Sequence, residues 1–189
     1  LRMVVLVSGR GSNLQAILDA IEDGRLAAEV AAVISDVPDA YALKRAERAG
    51  VPTYCIEKRD YSSRADFETA LADCAEGARP DLIVLAGFMR VLGEAFLDRF
   101  PGKVINIHPS LLPSFRGLEA QRQALEAGVR YAGCTVHFVD LGVDSGLIID
   151  QRVVRVLPGD DVETLSARIL EQEHDLLVDV IRRFGAGLV

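Results

Sequence analysis

Asn106 and His108 stand two residues apart in Asn106-Ile107-His108-Pro109-Ser110-Leu111-Leu112-Pro113, just past an apolar run that reads as a strand. Side chains at i and i+2 of an extended segment share a face, so an amide and an imidazole can converge on one reacting atom. The imidazole moves protons and the amide stabilises oxyanion charge; together they suit acyl-type transfer. A working imidazole usually has an orienting carboxylate. Asp144, in Asp140-Leu141-Gly142-Val143-Asp144-Ser145-Gly146, is the candidate, although Asp also opens turns of this kind and spacing alone does not join residues 108 and 144. His137, within a strand, and His174, on the last helix, read as packed or surface residues.

A second group, Ser8-Gly9-Arg10-Gly11-Ser12-Asn13, lies between a strand and a helix start. Its glycines let the backbone approach a ligand, and the helix start offers unpaired N–H groups to an anion. Ser12 and Asn13 add donors, and either could cap the helix instead. Leu14 stands where a dinucleotide fingerprint needs its third glycine, although Asp36 sits near the end of the second strand. The Gly-Lys-Ser/Thr of a Walker loop is absent. A single sugar-phosphate therefore fits better than a dinucleotide or ATP.

The elements that must position these groups alternate. Met3–Val7, Val30–Ile34, Thr53–Ile56, Asp81–Ala86 and Lys103–Ile107 read as strands. Between them lie a helix carrying Leu14, Ile17, Leu18 and Ile21, one from Pro38 to Gly50, and one opened by Ser62. Alternation of this kind predicts a parallel sheet covered on both faces. Thr135–Val139 and Leu147–Val156 predict an antiparallel edge, and Asp161–Phe184 a long amphipathic helix. The fold class expected is α/β: a single domain with a Rossmann-like, mostly parallel sheet flanked by helices, an antiparallel C-terminal edge and a long C-terminal helix.

The 189 residues, 50% hydrophobic and 26% charged with a net charge of −7, suit one globular domain. The acidic balance argues against a nucleic-acid partner. Cys55, Cys74 and Cys134 have no CxxC spacing and read as reduced thiols, neither disulfides nor a metal site. No apolar stretch is long enough to span a bilayer, and the strand-like start shows no signal peptide, so no membrane partner and a cytoplasmic location are expected.

Four segments carry a resemblance. They are Ser8–Leu14, Leu85-Ala86-Gly87-Phe88-Met89-Arg90-Val91-Leu92, Asn106–Pro113, and Gly133–Val139 followed by Asp144-Ser145-Gly146. In these the chain resembles, over essentially its whole length, the phosphoribosylglycinamide formyltransferase family, folate-dependent enzymes of purine synthesis. The resemblance implies transfer of a formyl group from 10-formyltetrahydrofolate to the amine of 5'-phosphoribosylglycinamide, without a metal. It implies that Asn106, His108 and Asp144 are the catalytic trio, that Gly11, Ser12 and Asn13 hold the phosphate, and that Glu173 accepts from the ribose hydroxyls. Met89, Arg90, Val91 and Leu92 would line the pterin pocket, Arg64 would meet the folate glutamate tail, and Asp140, Leu141, Gly142 and Val143 would wrap the pterin. The domain expected is 1–189, with a phosphate-binding half over about 1–105 and a catalytic and folate-binding half over 106–189. Its partners would be small-molecule substrates, and the protein a monomer or homodimer. Leu170 departs from the pattern, standing where the resemblance leads one to expect a polar or basic phosphate contact. Phosphate affinity is then expected to rest on the first loop or on Arg168.

Overall fold

Strand β1 (Arg2–Val7) sends Met3, Val5 and Val7 into one layer of core and Val4 and Leu6 into another. A strand buried on both faces needs an unbroken apolar run, which is why β1 and β4 (Leu82–Leu85) show no polar alternation. The computed structural model describes all 189 residues, Leu1–Val189. The remaining elements are α1 (Ser12–Glu22), β2 (Glu29–Ser35), α2 (Tyr41–Arg48), β3 (Thr53–Cys55), α3 (Arg64–Gly77), α4 (Glu94–Leu97), β5 (Val104–His108), α5 (Ala120–Glu126), β6 (Tyr131–Phe138), β7 (Ile148–Arg155) and α6 (Val162–Gly185).

The seven strands form one sheet in the order β3-β2-β1-β4-β5-β6-β7. Strands β1 to β5 pair in parallel, and β6 and β7 join antiparallel, as expected from the sequence. Helices α1, α2, α5 and α6 cover one face, burying Leu14, Ile17, Leu165, Ile169, Leu176 and Ile181. Helices α3 and α4 cover the other with Phe67, Leu71 and Phe96. The long α6 opens on a reciprocal cap: Thr164 N–H donates to Asp161 Oδ1 (2.8 Å) and Asp161 N–H to Thr164 Oγ1 (3.1 Å).

Three local expectations need correction. His108 is the last residue of β5 and lies within the strand instead of past its end. Strand β6 starts at Tyr131, four residues earlier than Thr135, because it pairs with β7 back to Arg155. Helices α4 and α5 were not expected. They span four and seven residues, too short for a periodic signal. Helix α5 also follows Glu119, which has φ 54° and no capping side-chain bond, so it lacks the usual start signal.

Candidate active site

Strand order reverses between β1 and β4: β2 and β3 lie on one side of this pair, and β5 on the other. At such a switch point the loops leaving the strand ends part and leave a crevice. The crevice here is a cavity of about 890 Å³. Arg10 and Asn13 after β1, Gly87–Leu92 after β4, Asn106 and His108 of β5, the Asp140–Asp144 connection, and Leu170 and Glu173 of α6 all line it.

The first loop is braced from outside. Gly11 adopts φ 75°, and a Cβ there would lie 2.6 Å from that of Ala42, so glycine is required. Arg45 Nε donates to the carbonyl of Arg10 (2.8 Å), and Ala42 N–H to that of Gly9 (3.0 Å). Helix α1 then starts without a side-chain cap, and the N–H groups of Ser12, Asn13 and Leu14 find no acceptor in the chain. Asn13 Nδ2 donates to Glu173 Oε2 (2.9 Å), with both residues buried, while Asn13 Oδ1 is buried without a partner. Burial pushes the Glu173 carboxyl up to about 7, the Asn13 hydrogen bond opposing it. The side chain of Ser12 lies apart, in a separate hollow with Gln15, Asp19 and His174.

The trio expected from the sequence does converge. Asp144 Oδ2 lies 3.3 Å from His108 Nδ1 and accepts from the Gly117 N–H at 2.8 Å. Asp144 Oδ1 accepts from Asn106 Nδ2 at 3.5 Å. Backbone strain aims these groups. Phe115, Glu119 and Asp144 all have φ near +50° without being glycine, a conformation that costs roughly 1 kcal/mol or more and gathers at functional loops. The Phe115 carbonyl so placed sits 2.9 Å from His108 Nε2. A carbonyl only accepts, so Nε2 carries a proton there; a second proton on Nδ1 would be donated to Asp144.

His137 is packed within β6, as read from the sequence, and also belongs to this cluster. Strand register sets it opposite Asn106. Its Nδ1 faces the carbonyl of Phe138 (2.8 Å), and its Nε2, 3.3 Å from Asn106 Nδ2, accepts from that amide in the neutral ring and donates toward Asp144 in the protonated one. The same Nε2 lies 3.7 Å from Asp144 Oδ1. Burial raises the pKa of Asp144, but hydrogen bonds from His137 and the Gly117 amide, with the charges of His108 and His137, outweigh it and hold the carboxyl below its ordinary value. The period-two spacing of Thr135, His137 and Val139 was a usable signal; the register that aligns His137 with Asn106 was not.

The β4 loop is held by a clasp across the switch point. Met89 N–H donates to Ser8 Oγ (2.8 Å), Ser8 Oγ donates to Asp36 Oδ1 (2.5 Å), and Arg90 Nε to Asp36 Oδ2 (2.7 Å). In the sequence Asp36 shows only as a strand-end acid. Asp36→Ala is expected to cost about 1–3 kcal/mol, measured by urea unfolding, because it strips both Ser8 and Arg90 of their acceptor. An unchanged midpoint would mean the clasp contributes nothing.

Other expected positions fall unevenly. Met89 (64% exposed) and Val91 (47%) stand open at the cavity wall, while Leu92 is buried (1%). Arg64 does not reach the cavity lining: its guanidinium donates to Glu68 (2.6 Å) and to the Val91 carbonyl (2.9 Å), bracing the β4 loop from behind. Asp140, Gly142 and Val143 line the cavity, and Leu141 faces out. Asp140 Oδ1 accepts from Gly142 N–H (3.0 Å) and Ser145 Oγ (2.6 Å), tying the loop to itself. Arg168 is not available to the cavity, since it pairs with Asp160 and with the Arg155 carbonyl. No group of three or more His, Cys, Asp or Glu is placed to hold a metal ion, and no helix is long and apolar enough to cross a membrane.

Residues 1–181 match the formyl transferase family. The chain belongs to that family. It is 43% identical over 186 residues to the phosphoribosylglycinamide formyltransferase of Haemophilus influenzae, covering 98% of this chain and 88% of that protein. Over 175 residues, 92% of this chain, it is 50% identical to the trifunctional purine biosynthetic protein adenosine-3 of Drosophila melanogaster, of which it spans only 13%. The crystal structure of glycinamide ribonucleotide transformylase 1 from Symbiobacterium toebii, 54% identical, superposes with a TM-score of 0.97 over 99% of this chain and 88% of that one. That of the phosphoribosylglycinamide formyltransferase from Coxiella burnetii, 48% identical, gives 0.95 over 99% and 88%. The α/β family fold places the crevice, strand β5 and the Asp144 loop in one frame.

Proposed function

We propose that this formyl transferase moves a formyl group from 10-formyltetrahydrofolate to the amine of 5'-phosphoribosylglycinamide. The observation that carries the reading is the convergence of Asn106 and His108 on Asp144, each within 3.5 Å of its carboxylate, in a cavity large enough for two small molecules. The names of similar proteins support the choice of acceptor. The uncapped start of α1 with Asn13 and Glu173 suits a sugar-phosphate at one end. Phe88, Leu92 and Val139 give the other end an apolar wall that suits a flat heterocycle. In this reading the first half of the chain supplies the phosphate loop and the second the trio, with the β4 loop of the first half serving the folate.

The formyl donor supplies the activated formyl carbon. When the amine of the acceptor attacks it, the formyl oxygen gains negative charge. Asn106 Nδ2 and a protonated His108 would turn their N–H groups to that oxygen; one such donor is worth about 3 kcal/mol. In the free chain these donors already surround the anionic Asp144 carboxylate, so the pocket is arranged for negative charge before substrate arrives. Asp144 would orient the His108 ring through Nδ1, 3.3 Å from its Oδ2. His108 or water would carry the proton from the attacking amine to N10 of the folate, and collapse of the oxyanion would break the bond from the formyl carbon to N10 and release tetrahydrofolate.

The test supplies 10-formyltetrahydrofolate with phosphoribosylglycinamide and follows release of tetrahydrofolate. Turnover that requires the acceptor supports the reading. Absence of it sinks the reading, and release with water alone would make the protein a hydrolase.

A further inference from the structure

We infer that Arg10 is the cation that recognises the phosphate of the sugar-phosphate substrate. The inference rests on the ribonucleotide reading of the cavity and extends it to a residue that neither the loop pattern nor the trio assigns.

The cavity wall contains two arginines, Arg10 and Arg90. Arg90 is committed to Asp36 at 2.7 Å. The guanidinium of Arg10 has no ion pair or hydrogen bond anywhere in the chain, although its own carbonyl is pinned by Arg45. The backbone is therefore fixed while the side chain remains available. Across from the loop, α6 presents Glu163, Ser166, Ala167, Leu170 and Glu173, with no lysine or arginine among the lining residues of that helix. Arg168, two residues before Leu170, is taken by Asp160.

A second observation points to a ligand here. Asn13, only 8% exposed, lines the same end of the cavity with its Oδ1 unpartnered. A buried acceptor of this kind needs a donor that the chain does not provide, and a sugar hydroxyl next to a phosphate would supply one. Unpaired α1 amides can cradle phosphate oxygens but carry no net charge. A guanidinium matches two phosphate oxygens through paired donors. Arg10 is the one residue of this end with that geometry and no other partner.

Steady-state kinetics on the intact protein test this. Arg10→Ala is expected to raise the KM for phosphoribosylglycinamide about 10- to 100-fold, with kcat and the KM for the formyl donor within a few-fold. Arg10→Lys should recover part of the loss. On the same acceptor lacking its phosphate, wild type and Arg10→Ala should be equal. Adding Leu170→Lys to Arg10→Ala should restore tight binding by moving the cation to the opposite wall. An unchanged KM in Arg10→Ala, or equal losses on both acceptors, would overturn the assignment. Titration with ribose 5-phosphate needs no turnover and separates this inference from the functional reading. Binding weakened about tenfold or more in Arg10→Ala would uphold the arginine even if the formyl-transfer assay failed, and equal binding would reject it.

Discussion

His108→Ala and Asp144→Asn are each expected to lower kcat by about 10²–10⁴-fold, with ribonucleotide binding largely intact. The two changes act through different atoms. Removing the His108 ring deletes the group held between the Phe115 carbonyl (2.9 Å) and Asp144 (3.3 Å), and with it a proton carrier and an oxyanion donor. Asp144→Asn keeps size but removes the negative charge that faces His108 Nδ1 at 3.3 Å. It also sets an amide among the donors of Gly117 and Asn106. Both changes lie away from Arg10, Asn13 and Glu173, so calorimetric titration with the ribonucleotide should give affinities within a few-fold of wild type. Binding that falls in step with turnover in both variants would mean that the pair holds the loop and does not serve the reaction. The double variant should lose little more than either single one, because the residues act as a unit.

Glu173→Gln is expected to stabilise the free protein at alkaline pH. The folded carboxyl keeps its proton up to about 7, against an ordinary value of 4.5. Between these values the native state holds a proton that the unfolded chain has lost, so stability falls as pH rises through the window. The full penalty, about 3 kcal/mol, applies above pH 7. Glutamine occupies the same volume, still accepts from Asn13 Nδ2, and never ionises. The variant should therefore unfold at higher denaturant than wild type at pH 8, with the difference closing toward pH 5. A gap independent of pH would show that ionisation of Glu173 is not its source. The same substitution should weaken a ligand that donates to the charged carboxylate, so stability and affinity would move in opposite directions.

Much of this was legible in the residues, for physical reasons that also set the limit. The apolar runs of β1 and β4 announce two-sided burial, and two-sided burial requires a covered parallel sheet. Asn106 and His108 share a face by strand periodicity alone. Asp144 could be joined to them only through resemblance, because 36 residues of chain path separate it from His108. His137 was passed over since a single strand does not state its register with the next. Arg64 is a ligand contact only by resemblance; the pairing with Glu68 one helical turn on follows from helix spacing. Asp36 and Ser8 each looked ordinary; their joint hold on the Met89–Arg90 loop exists only when three strand ends are side by side.

The self-tied loop between β6 and β7 has a consequence for how freely its sequence can drift. A Cβ on Gly142 would stand 2.0 Å from Ser145 Oγ, and one on Gly146 1.7 Å from the Phe138 carbonyl. Leu141 and Val143, on either side of Gly142, are 58% and 48% exposed. Tolerance to substitution should therefore be uneven along the segment, with Gly146 and Asp144 immovable, Gly142 and Ser145 changing only together because they share one space, and Leu141 and Val143 open to change. Lineages could retune the chemistry of this rim, one exposed position at a time, without disturbing the carboxylate it delivers.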